Sequence, residues 1–122
     1  MLAPRGLLRA LLALALVLSA SSALAQSGFR INYEVDQSRP DKARLNGRVA
    51  NERGQDVFEV SVTAEALDAR GKVLARGISY VDSRIGRGDS RPFSVSVPTV
   101  PGVTEFRVVV SSYRMGFANQ GP

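Results

Sequence analysis

Apolar and polar residues alternate along most of this chain. In Phe29-Arg30-Ile31-Asn32-Tyr33-Glu34-Val35-Asp36 the alternation is unbroken, and a period of two places the four apolar side chains on one face of a strand. Phe58, Val60, Val62, Ala64 and Ala66 repeat the pattern against Glu59, Ser61, Thr63 and Glu65. Phe93, Val95 and Val97 do so against Ser94 and Ser96, and Phe106, Val108 and Val110 against Arg107, Val109 and Ser111. Each run predicts a strand with one buried face. Ala43 to Asn51 and Lys72 to Tyr80 are less regular but lie between turn signals and read as further strands. No helical stripe follows Ala25.

The punctuation sharpens this picture. Asp68-Ala69-Arg70-Gly71 sets a carboxylate where it can accept from the turn backbone and a glycine where the chain leaves with positive φ, which predicts a tight hairpin. Asn51 to Asp56, Asp82 to Ser90 and Pro98 to Gly102 are polar or breaker-rich and predict connections. Asn46-Gly47 is also a hairpin signal. A split there would leave very short arms, so the expectation is one continuous strand in which Gly47 marks a bulge or a close backbone approach. Six or seven strands of this kind predict an all-β fold, an antiparallel immunoglobulin-like β-sandwich, with a small closed barrel as the competitor.

The first 25 residues break the pattern. Arg5 and Arg9 precede the apolar run Leu11 to Leu18, and small residues lead to Ala23-Leu24-Ala25 before Gln26. That order predicts an N-terminal signal helix over residues 1–25, cleaved after Ala25, with Ala23 and Ala25 as the small residues the peptidase reads. The competing reading is an uncleaved anchor over Leu7 to Leu24. Cleavage leaves 97 of the 122 residues, a domain over 26–117 with a disordered tail over 118–122. The location expected is periplasmic or secreted, with no membrane anchor after cleavage.

Composition excludes more chemistry than it assigns. The chain has no histidine and no cysteine, so there is no imidazole base, no thiolate nucleophile, no zinc site of the usual ligands, no lipid-bearing cysteine and no disulfide. Losing Arg5 and Arg9 leaves 14 basic against 11 acidic residues, so a net charge of +5 falls to +3, too modest to imply nucleic acid. The carboxylates Glu34/Asp36, Glu59/Glu65 and Asp82/Asp89 fall at strand-face or loop positions where solvated acids are expected. No enzyme activity, cofactor or metal is expected.

A resemblance adds to this reading. Leu45-Asn46-Gly47-Arg48-Val49-Ala50-Asn51, then Val60 through Leu74 with its Asp68-x-x-Gly71 turn, then Gly88-Asp89-Ser90-Arg91-Pro92-Phe93, resembles the bacterial FxLYD domain over Leu45 to about Tyr113. Where that family has its F-x-L-Y-D core, this chain has Ala64, Glu65, Ala66, Leu67 and Asp68, matching only at the aspartate. The resemblance implies an exported immunoglobulin-like module of the bacterial envelope without a catalytic role. The function expected is that of a protein-interaction or structural module whose partner is an envelope protein.

Two features invite narrower readings. Arg87-Gly88-Asp89 is the tripeptide that integrins recognise, although a bend before the Phe93 strand would itself call for Gly88. If successive strands run antiparallel, Arg84, Arg87 and Arg91 fall at the same end of the sandwich as Arg53. Such a rim could bind an anionic envelope component, lipopolysaccharide phosphate or an acidic partner, through bidentate guanidinium contacts. The alternative is a solvated surface with Asp56, Asp82 and Asp89 as counter-charges.

Overall fold

The structure, a computed structural model, describes residues 28–115 and the backbone of residues 22–26. Among the described residues there is no helix, and seven antiparallel strands form two sheets. One sheet has the order β1 (Ser22–Gln26), β2 (Phe29–Asp36), β3 (Lys42–Asn51), β6 (Ser90–Pro98). The other has the order β5 (Val73–Ile85), β4 (Val57–Leu67), β7 (Glu105–Met115).

The period-two runs decide which side chains meet. Phe29, Ile31, Tyr33 and Val35 of β2, and Ala43, Leu45 and Val49 of β3, are buried in one core with Val60, Val62, Ala64 and Ala66 of β4, Phe93, Val95 and Val97 of β6, and Val108 and Val110 of β7. Each large aliphatic or aromatic residue buried there contributes about 1.5–3 kcal/mol of transfer free energy. The two sheets are also joined by polar and aromatic contacts. The buried Tyr33 donates its hydroxyl hydrogen to the Phe106 carbonyl at 2.8 Å, and Phe29 meets Tyr113 edge-on with ring centroids 5.0 Å apart.

Two turn readings correspond to what is seen. Asp68 Oδ1 accepts from the amides of Arg70 and Lys72, both at 2.9 Å, while Gly71 has φ of 83° and its amide donates to the Asp68 carbonyl. β3 runs unbroken through Asn46-Gly47, and a Cβ on Gly47 would collide with the Asn32 carbonyl of β2. That is a close backbone approach, the second of the two alternatives the sequence left open at Gly47.

Three boundaries differ from the sequence expectation. The strand expected over Lys72 to Tyr80 starts at Val73 and runs to Ile85, so the connection read over Asp82 to Ser90 shrinks to Gly86 through Asp89. The reason lies in backbone pairing: Asp82, Arg84 and Ile85 lie opposite Val60, Phe58 and Val57 of β4, and polar outward side chains do not interrupt that ladder. In β4, Val57 rather than Phe58 is fully buried. Glu59 adopts φ of 53° within the register shift between Phe58 and Ser61 against β7, and one extra residue in a bulge reverses the facing of what precedes it. Finally, the strand read over Phe106 to Ser111 runs from Glu105 to Met115 as β7.

The signal helix and the tail over 118–122 lie outside the described residues, except that Ser22, Ala23, Leu24 and Ala25 are strand. β1 pairs along the outer edge of β2 from Ser22 opposite Tyr33 to Gln26 opposite Phe29.

Because the obstacle at Gly47 is backbone, it cannot turn aside. Gly47→Ala is expected to cost about 2 kcal/mol, read as a lowered urea midpoint with an unchanged slope.

Candidate functional site

The antiparallel order brings the β3–β4 connection and the β5–β6 connection to one end of the molecule, where Asn51 joins them. Asn51, the last residue of β3, is fully buried. Its side-chain Nδ2 donates to the carbonyls of Gln55 (2.9 Å), Ile85 (3.0 Å) and Gly86 (3.3 Å), and its Oδ1 accepts from the Arg53 amide at 2.9 Å. Its backbone amide donates to the Asp89 carbonyl, and its carbonyl accepts from the Gly88 amide, each at 2.8 Å. A single amide side chain therefore shapes both loops. Sequence reading passed over Asn51 as the end of a strand; an asparagine opening a polar connection after an apolar strand was the available signal.

The four arginines of the expected rim share this end but not one role. The Arg53 guanidinium carbon lies 5.3 Å from the Tyr113 ring centroid and 5.9 Å from that of Phe29, distances of cation–π contact. Arg53 thus covers the end of the core. Arg84 grips Asp56 Oδ2 through Nε at 3.1 Å and Nη2 at 2.6 Å. Arg91 joins Asp82 through Nε at 3.0 Å and Asp89 through Nη1 at 2.7 Å. Arg87 donates its backbone amide to Asp56 Oδ1 at 2.9 Å, and its side chain is exposed.

Interleaved carboxylates change the electrostatics of the rim. Four arginines stand against Asp56, Asp82 and Asp89, leaving an excess of a single positive charge among these seven groups. The Arg84 guanidinium, then the Arg87 amide, holds the Asp56 carboxyl below the usual range. The Arg84 amide is the chief cause for Asp82, and the Arg91 guanidinium for Asp89. The tripeptide Arg87-Gly88-Asp89 is engaged in the same way. Gly88 has φ of 76°, and the Asp89 carboxylate accepts from the Ser90 amide and from Arg91, so this acid is already occupied within its own chain.

Of the other acids noted in the sequence, Glu59 and Glu65 have local partners on the outer face of the β5-β4-β7 sheet. Glu65 lies between Arg76 at 3.4 Å and Arg107 at 2.6 Å, and Glu59 accepts from the Tyr80 hydroxyl at 3.1 Å. Among the described residues no group of three or more potential metal ligands is found, and no helix is long and apolar enough to cross a membrane. On the outer face of the β5-β4-β7 sheet, Ile78 is 73% and Tyr80 56% exposed. Ile78 lies opposite Thr63 and, across β4, Thr63 lies opposite Val109. Neither a protein-family model nor a curated protein matches this sequence.

Asn51→Ala leaves carbonyls and an amide without their partner and is expected to cost on the order of 3 kcal/mol, measured by denaturant unfolding. Asn51→Asp sets a buried carboxylate against the Gln55 and Ile85 carbonyls, which raises its folded pKa. Its destabilisation therefore grows from pH 5 to pH 7, whereas the parent, having no histidine, stays level across that interval. A profile of melting temperature against pH separates the two.

The three aspartates act in a different window. Their folded pKa values lie below the ordinary one, so their stabilisation is complete above about pH 4 and is lost as the pH falls through the depressed values. Asp56→Asn combined with Asp89→Asn is expected to flatten the acid limb of that profile and leave the neutral plateau level.

Proposed function

We propose that this chain is a non-catalytic exported module of the cell envelope, an immunoglobulin-like β-sandwich that works by binding another protein. Two antiparallel sheets, with connections that cross between them after β3, β5 and β6, support the immunoglobulin-like description. The Asp68–Gly71 hairpin and the Gly88 bend before β6 occur in the order that the resemblance to the FxLYD domain implies. Export rests on the basic start, the apolar run and Ala23-Leu24-Ala25.

The observation that carries the binding role is the exposure of Ile78 and Tyr80 on the outer sheet face. Tyrosine is enriched at protein interfaces because it offers a large apolar area with a polar tip. Here the ring stands in solvent while its hydroxyl is held by Glu59, an arrangement that fixes the ring for contact. The Arg76–Glu65–Arg107 cluster borders Ile78, as a polar rim borders an apolar contact area. By comparison, the arginine rim is held by its own aspartates and presents little uncompensated charge to an anion.

Site-specific photo-crosslinking in intact envelopes tests this reading, with the crosslinker at Arg76 and the chain exported by its own leader. Tyr80→Ser is expected to lower the yield of a discrete protein adduct about tenfold, while Arg84→Ala with Arg87→Ala leaves it unchanged. The opposite pattern, with salt-sensitive retention on a polyanion column, would establish the anion-binding role in its place.

A further inference from the structure

Once β1 is removed, the four sheet edges are β2, β6, β5 and β7, and they are not protected alike. β6 carries Pro92 and Pro98, β5 carries Gly77 and register shifts against β4, and β7 has register shifts against β4. Prolines and bulges are the ordinary means of keeping an edge from recruiting another strand. β2 has none of them. Its eight residues contain no proline or glycine, its pairing with β3 is continuous from Phe29 to Asp36, and its inward row is wholly apolar and buried. What covers its outer edge is β1, and cleavage after Ala25 would remove all of β1 except Gln26.

The geometry points to a second copy of this chain as the strand that takes the place of β1 on β2 after export, forming an isologous dimer through β2 paired antiparallel with β2 of the other copy. This rests on the exported-module reading, specifically on release of the leader after Ala25. The outward residues of β2 are Arg30, Asn32, Glu34 and Asp36. A two-fold axis at Asn32 keeps inward residues facing inward and sets Arg30 of each copy opposite Glu34 of the other. It also sets Ile31 opposite Tyr33 and Phe29 opposite Val35, pairs of the apolar kind that stabilise neighbouring strands.

The charges favour this register over the one with its axis at Tyr33, in which Arg30 would face Asp36. Asp36 is already engaged by the Ser38 amide at 2.9 Å and lies opposite Arg44 of β3. Glu34 is exposed, and its side chain has no hydrogen bond or ion pair to the described residues. Arg30 meets Glu52 in a pair that is 57% and 46% exposed, an interaction weak enough to be exchanged for a new one. Main-chain pairing supplies the affinity and the charges the register.

The test uses the full-length chain exported with its own leader, purified from the exported fraction, with its N-terminus fixed by intact mass and its state measured by sedimentation equilibrium. The expected result is a chain beginning at Gln26 that dimerises. Arg30→Glu should raise the dimer dissociation constant about tenfold, and adding Glu34→Arg should restore it, which a folding defect would not allow. Because the chain has no cysteine, Asn32→Cys should give a single disulfide-linked dimer, since directly opposed strand residues lie within disulfide reach. A monomer beginning at Gln26, or a dimer indifferent to Arg30→Glu, overturns the proposal and leaves the exported module standing. An exported chain that retains residues before Gln26 overturns the proposal alone, because β1 then stays on β2; a chain absent from the exported fraction overturns both.

Discussion

One buried amide organises the end of the molecule at which both sheets are joined by irregular chain. Asn51 is the last paired residue of β3, yet its side-chain partners lie in the next connection and in the one that leaves β5. Carbonyls of irregular chain are costly to bury unless something donates to them. Nδ2 donates to three of them, and the Asn51 backbone adds two further bonds to the β5–β6 turn. Neither loop can then move without disturbing the other, and Arg84, Arg87 and Arg91 are held against their aspartates by chain that is already fixed.

The same end shows how a core is closed without a large hydrophobic lid. Phe29 and Tyr113 come from different sheets and meet edge-on, and Arg53 lies near both rings. A guanidinium can sit against aromatic faces and still reach water, so it caps apolar rings at a loop that must remain polar. Toward the opposite end, the Asp68 carboxylate performs the simpler task of closing one hairpin. Two devices, an asparagine between connections and an aspartate within one, thus settle the two ends of the sandwich.

Much of the sheet layout was legible because period-two alternation is a direct consequence of having one buried face. β2 was readable to the residue, and Gly47 could be placed within a strand because dividing the chain there left arms too short to pair. The failures have equally specific causes. The sequence points to an end of β5 at Tyr80 because Asp82, Ser83 and Arg84 look like loop residues, but an edge strand with a solvent-facing row tolerates them. Phe58 looks like a core residue because the bulge that holds Glu59 against β7 cannot be seen in a pattern of residue types. The rim arginines were placed at one end correctly as a matter of topology, but their neutralisation by Asp56, Asp82 and Asp89 depends on side-chain reach that alternation does not encode. Asn51 was missed for the same reason: its importance lies in contacts 34 and 35 residues away in sequence.

A domain of this size with no cysteine must obtain by other means the restraint that small exported proteins often draw from disulfides. The Tyr33 hydroxyl on the Phe106 carbonyl spans 73 residues, and the Asn51 bonds to Ile85 and Gly86 span 34 and 35. Both are long-range, at least partly buried and made by uncharged groups. Unlike ion pairs, they are indifferent to salt, and with no histidine in the chain none of them is coupled to a group that titrates near neutrality. The charged groups are kept outside this framework, where their loss in acid loosens an end rather than the core. Structural constancy is thereby assigned to neutral hydrogen bonds and packing, which leaves the exposed strand faces free to vary in what they contact.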